Sequence, residues 1–121
     1  MTYELRTYRI PPGRMPDILN RFETVTMRLF QKYGFEVLGF WTADKEERIV
    51  VASGERITRT HVNELVYLLR FKDQQACDAA WAAFRQDPEW LETRRRTEAN
   101  GPIVQEVISQ MLTATAFSPE K

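Results

Sequence analysis

The sequence predicts a small α+β domain with the ferredoxin-like order β-α-β-β-α-β, an antiparallel sheet carrying its helices on one face. Three observations predict it. Apolar residues alternate between strand and helix periodicity in that order along the chain. Stop signals, Gly34 and Asn100-Gly101-Pro102, close each helical stretch before the next strand. The middle strands are apolar on both faces, so the face left open by the helices is expected to be covered by a second copy of the sheet.

Thr2–Ile10 is rich in Tyr, Thr and Leu and reads as the first strand. Tyr3, Leu5, Thr7 and Arg9 share one face, and Glu4, Arg6, Tyr8 and Ile10 the other. Pro11-Pro12-Gly13 stops it. A helix follows from about Met15 to Tyr33, with an apolar stripe of Met15, Ile18, Leu19, Phe22, Val25, Leu29, Phe30 and Tyr33. Pro16 is tolerated only in the first turn, and Gly34 suits a left-handed cap.

Phe35–Thr42 is the second strand, with Val37, Gly39 and Trp41 on one face and Leu38 and Phe40 on the other. Val62–Phe71 is the third, with Leu65, Tyr67, Leu69 and Phe71 on one face and Glu64, Val66, Leu68 and Arg70 on the other. Residues 43–61 between them read as an extra β-ribbon lengthening both strands, with Ser53-Gly54 as its turn. Asp73 caps a second helix running to about Gln86, whose stripe is Cys77, Ala80, Trp81 and Phe84. Asp87-Pro88 restarts helix. Val104–Phe117 is the last strand, and 118–121 a frayed tail. The chain is thus one domain, 1–121.

Composition narrows the function classes. Seventeen basic residues balance seventeen acidic ones, so nothing draws the chain electrostatically to nucleic acid or an anionic membrane. No apolar run approaches the ~20 residues that span a bilayer. One cysteine rules out an internal disulfide and fits a reducing compartment, and no targeting segment is visible, so cytoplasm is the expected location.

Assembly follows from the two-faced strands. Leaving Leu38, Phe40, Val66 and Leu68 wet would forfeit roughly 1.5–3 kcal/mol each. A second copy packed face to face removes that cost, so a homodimer enclosing a shared barrel is expected. The motifs Tyr3-Glu4-Leu5-Arg6-Thr7-Tyr8, Gly13-Arg14-Met15, Leu38-Gly39-Phe40, Asp87-Pro88-Glu89-Trp90 and Thr115-Ala116-Phe117-Ser118-Pro119, in that order, resemble the NIPSNAP family over nearly the whole chain. The resemblance implies a dimeric α/β-barrel fold and a largely undefined biochemical role. The departure is 43–61, longer than the family's usual turn.

Residues with chemical potential are few. His61 is the sole histidine and reads as a loop residue rather than a metal or haem ligand, since no second His or Cys stands at ligand spacing. Cys77, on an apolar stripe, reads as a buried inert thiol. Arg94-Arg95-Arg96 is interleaved with Glu89, Glu92 and Glu98 and reads as an ion-paired solvated face. No phosphate loop or nucleophile elbow is present. Neither metal nor organic cofactor is expected.

The aromatic set carries the sharper possibility. Core and dimer packing account for most aromatics. The alternative is a pocket for a small apolar or aromatic compound, with Phe40, Trp41, Tyr67 and Trp90 as walls and Arg6, Tyr8 and Arg70 as polar anchors on the sheet face away from the helices. Arginines there need anions: Glu4, Glu64, a ligand carboxylate or water. Two functions compete: a dimeric barrel that binds a small ligand, and a cofactor-independent monooxygenase or isomerase acting on a small aromatic or lactone substrate. The second rests on what the resemblance implies, since relatives of that barrel type include such enzymes, and some bind haem.

Overall fold

A computed structural model describes residues 1–120. Four strands, β1 (Thr2–Arg9), β2 (Glu36–Val50), β3 (Glu55–Phe71) and β4 (Glu106–Leu112), form one sheet in the order β2-β3-β1-β4, each neighbouring pair antiparallel. The first helical stretch is α1 (Met15–Arg21), a π-helical turn over Phe22–Thr26, and α2 (Met27–Lys32). The second is α3 (Gln74–Arg85) followed by α4 (Pro88–Thr97). Element order and sheet topology are those the sequence predicts for a ferredoxin-like α+β domain.

The local signals act as expected. Asp73 accepts from the backbone N–H of Ala76 at the start of α3, and Asp87 from those of Glu89 and Trp90 at the start of α4. Gly34 takes φ +80° directly after the first helical stretch, a conformation costly for any side chain. Ile18, Phe22, Leu29 and Phe30 then pack with Trp81 and Phe84 over Leu65, Tyr67, Leu69 and Phe71 of β3. All the helices therefore cover one face.

The opposite face carries Leu5, Val66, Leu68 and Ile108, all half-buried, and Trp41, 54% exposed. Trp41 lies flat over Gly39: a Cβ at Gly39 would sit 2.6 Å from the indole. Position 39 is thus glycine because the ring occupies the space a side chain would need.

Several expectations are corrected. A bulge shifts the register between Val37 and Gly39, so Val37 and Phe40, not Leu38 and Phe40, share a face. Phe40 stacks on Tyr67 under the helices, with centroids 4.9 Å apart, and is absent from the uncovered face. Strand β3 begins at Glu55, not Val62, so His61 stands within it rather than in a loop; its side chain is 90% exposed. Strand β4 ends at Leu112, where its ladder with β1 closes on the Tyr3–Leu112 pair, one residue from the end of β1 at Thr2. The segment Ser118–Glu120 is not frayed: Glu120 accepts from the Tyr3 hydroxyl at 3.2 Å and from Arg70. Lys121 lies outside the described residues.

Beyond Glu64, β2 and β3 pair only with each other and project as a ribbon. The Asn63 side-chain amide fixes its base, donating to the carbonyls of Ile10 at 2.8 Å and Pro11 at 3.2 Å. Among the described residues, no helix is long and apolar enough to cross a membrane.

Candidate binding site

The most enclosed chemistry lies between the helices and the sheet. Strand alternation turns Glu4, Arg6 and Tyr8 of β1 toward the helices, opposite Leu69, Tyr67 and Leu65 of β3. Glu4 is 3% exposed. Its carboxylate accepts from Trp81 Nε1 at 2.6 Å, Ser109 Oγ at 2.5 Å and Arg6 Nη1 at 3.0 Å. Burial pushes its pKa up, but the Ser109, Trp81 and Arg6 donors outweigh burial and hold it below the ordinary carboxylate value.

Arg6 lies 4.2 Å over the Trp81 ring and donates from Nε to the Tyr67 hydroxyl at 3.2 Å. That hydroxyl and the Tyr8 hydroxyl are 2.8 Å apart. Burial, reinforced by the nearby Tyr8, drives the Tyr67 pKa well above its ordinary value, so Tyr67 stays a neutral phenol. Glu4, Arg6, Tyr8 and Tyr67 thus form one connected polar floor beneath aromatic walls.

Above that floor is a cavity of about 330 Å³. Trp81, Phe84 and Arg85 from α3 line it, as do Trp90, Arg94 and the adjoining Glu98 from the α4 end, Val107 from β4, and Arg21, Phe22 and Thr26 around the π-turn. Arg21, Phe22, Val25 and Thr26, at and within the π-turn, are all buried on the stripe that begins at Ile18. Arg21 lies 4.8 Å over the Trp90 ring and donates from Nη1 to Thr97 and Glu98, each at 3.1 Å.

The structure brings together Arg6, Tyr8, Tyr67 and Trp90 of the residues singled out from the sequence, with Phe40 stacked behind Tyr67. It separates Trp41 and Arg70, which occupy the uncovered face. The reason is parity. Arg6 pairs with Tyr67, three residues from Arg70, and an odd offset along a strand means opposite faces. The expectation that Arg6, Tyr8 and Arg70 share the face away from the helices is therefore overturned. Arg70 is answered there by Glu36 and Glu120. The expected anion for Arg6 is present in Glu4; Glu64 instead faces Arg9 at 3.5 Å.

Sequence reasoning missed Arg21 and took Trp81 as plain core. Arg21 had a signal: it falls three residues after Ile18 and four before Val25, on the apolar stripe itself. Trp81 had none, because its indole partner Glu4 lies 77 residues away. Cys77 is buried, and burial, helped by Glu4, pushes its thiol up to about 12, so it is an unreactive thiol at neutral pH. Arg95 bonds Glu92 and Arg94 bonds Glu98 on the α4 surface, the ion-paired face expected.

This fold and cavity define a ferredoxin-like α+β protein with an aromatic-walled, arginine-bearing pocket under its helices. The NIPSNAP family model matches residues 3–51 and 58–119, and the chain belongs to the NIPSNAP family. The unmatched 52–57 lie at the ribbon tip. No curated protein matches the sequence. Among solved structures, an uncharacterised NIPSNAP domain protein from Burkholderia xenovorans is similar, at 23% identity, covering 99% of this chain and 100% of that one, TM-score 0.75. A NIPSNAP family protein of unknown function from Agrobacterium tumefaciens is similar at 21% identity, over 98% of this chain and 92% of that one, TM-score 0.75. A mutant of MhuD with two manganese protoporphyrin IX bound per active site matches at 14% identity, over 98% of each chain, TM-score 0.54. At these identities the likeness is one of fold.

Proposed function

We propose that this NIPSNAP protein is a homodimer that binds a small apolar or aromatic compound in the cavity between sheet and helices. The observation that carries the reading is the cavity itself: about 330 Å³, with Trp81, Phe84, Trp90 and Phe22 as walls and the Arg6–Tyr8–Tyr67 group as a fixed polar floor. Such a site recognises a flat apolar body and orients one polar substituent. Association through the uncovered face is supported by Leu5, Val66, Leu68, Ile108 and Trp41, which one chain leaves unpaired. A single buried thiol fits a reducing, cytoplasmic setting.

The MhuD mutant carries two manganese protoporphyrin IX per active site. The cavity here does not fit that cofactor: its lining holds no histidine or cysteine, and His61 stands out on the ribbon. A specific observation does favour a second reading, a cofactor-independent monooxygenase or isomerase. The Tyr8 hydroxyl reaches the cavity floor with Tyr67 behind it and Arg6 Nη2 at 3.5 Å. A phenolic substrate beside that cation would be favoured as its anion, the form that reacts with oxygen.

The test is a panel of phenols, quinones, lactones and aromatic acids, followed by thermal shift and oxygen uptake. A ligand at a hundred times its dissociation constant is expected to stabilise the protein by about 2.7 kcal/mol. Stabilisation without turnover supports the binding protein. Turnover that is lost in Tyr8→Phe and kept in Arg70→Met supports the enzyme. No stabilisation by any class contradicts both.

A further inference from the structure

The cavity carries an unbalanced positive charge. Four arginines line it, Arg6, Arg21, Arg85 and Arg94, against the carboxylates of Glu98 and Glu106. Arg6 is answered from beneath by Glu4, and Glu106 faces Arg9 at 3.5 Å. Glu98 is divided between Arg21 at 3.1 Å and Arg94 at 3.4 Å. One carboxylate thus serves two guanidinium groups.

Arg21 is the buried member of that pair, its side chain 6% exposed against 64% for Arg94. Its Nε is buried with no hydrogen-bond partner among the described residues. An N–H left unmade on a buried cation is costly, and proteins rarely leave one. Burial lowers the Arg21 pKa despite the opposing pull of Glu98, which marks the cation as under-compensated. The guanidinium lies 4.8 Å over the Trp90 ring, which is 4.7 Å from that of Phe84.

We propose that the ligand class is a small aromatic carboxylate, its ring among Trp81, Phe84 and Trp90 and its carboxylate on the Arg21 side of the cavity. This rests on the reading of the cavity as a binding site and adds the charge and position of the ligand's polar group. A guanidinium answers a carboxylate with charge-assisted hydrogen bonds. A monoanion fits better than a phosphate dianion, because Arg21 and Arg94 together exceed the shared Glu98 by one charge, while Arg85 is exposed. When the ligand carboxylate arrives, Glu98 remains for Arg94.

The experiment is calorimetric titration of the full chain with cinnamate and with cinnamamide, which share shape and differ in charge. Cinnamate is expected to bind about tenfold more tightly or better, the scale of a charge-assisted pair over a neutral one. In Arg21→Gln the two affinities are expected to converge, with cinnamate losing far more than cinnamamide. Equal affinity in the wild-type protein overturns the carboxylate assignment while leaving the cavity as a binding site. Binding of neither overturns the cavity reading as well. A preference that persists undiminished in Arg21→Gln overturns the role of Arg21. Arg21 also ties α1 to α4, so folding of the variant is checked by its melting transition; the wild-type comparison of acid with amide decides the question without it.

Discussion

Glu4→Gln is expected to lower the unfolding free energy by about 3 kcal/mol, near the low end of the cost of breaking a buried ion pair. The variant keeps the shape of the side chain but removes the charge facing Arg6, whose side chain is only 11% exposed. Arg6 retains the Tyr8 and Tyr67 hydroxyls, which is why the loss is placed low in that range. For a domain whose whole stability is on the order of 5–15 kcal/mol, this is a large fraction. Denaturant melts of Glu4→Gln, Arg6→Met and the double variant measure it. The double variant is expected to recover part of the loss, because no cation is then left without its partner. A change below about 0.5 kcal/mol, the scale of an ordinary surface substitution, would show that Glu4 does not hold this charge.

The same variant has a pH signature. The folded pKa of Glu4 is held below its unfolded value, so its ionised form contributes stability above about pH 4.3, the ordinary glutamate value. That contribution is lost as pH falls through the depressed folded pKa. The gap between wild type and Glu4→Gln is therefore expected to be full at neutral pH and to narrow in acid. A gap that widened on acidification would contradict the sign.

With subunits paired through the uncovered face as proposed, Leu68→Glu is expected to convert the protein from dimer to monomer at micromolar concentration. Leu68 is half-buried in the centre of the uncovered face, opposite Leu5 and Gly39. In a lone chain a glutamate there meets water and costs little. In a two-fold interface the substitution places an unpaired carboxylate on both sides at once, at about 2–5 kcal/mol each. Sedimentation velocity reads the outcome. An unaltered dimer would show that the subunits meet elsewhere, and a wild-type species of 14.2 kDa would show that they do not meet at all.

The sequence carried the architecture well because each boundary had a local chemical cause. Asp73 and Asp87 cap, Gly34 takes a left-handed turn, and the spacing from Ile18 to Phe30 buries one helical face. The ribbon was legible too, since Ser53-Gly54 sits between two stretches able to pair. The site was less so. A single bulge at Leu38 exchanges the faces of its neighbours, and no residue pattern announced it. The placement of Arg6 relative to Arg70 depends on cross-strand register, which the two-faced strands leave unspecified. The polar floor joins Glu4, Arg6 and Tyr8 to Tyr67, Trp81 and Ser109, contacts over as many as 105 residues of chain that only the closed sheet creates. Arg21 is turned inward by its place on the apolar stripe, three residues after Ile18, a signal that could have been read.

On the proposed function, ligand enters the helix-covered side of the sheet. The three tryptophans report directly on this, because Trp81 and Trp90 line the cavity and Trp41 lies on the opposite face. Fluorine NMR of protein labelled with fluorotryptophan, each resonance assigned by single Trp→Phe substitution, is the measurement. During a cinnamate titration the Trp81 and Trp90 signals are expected to move together and saturate while Trp41 stays in place. Movement of Trp41 with the other two unmoved would place the ligand on the uncovered face and rule out the cavity between sheet and helices.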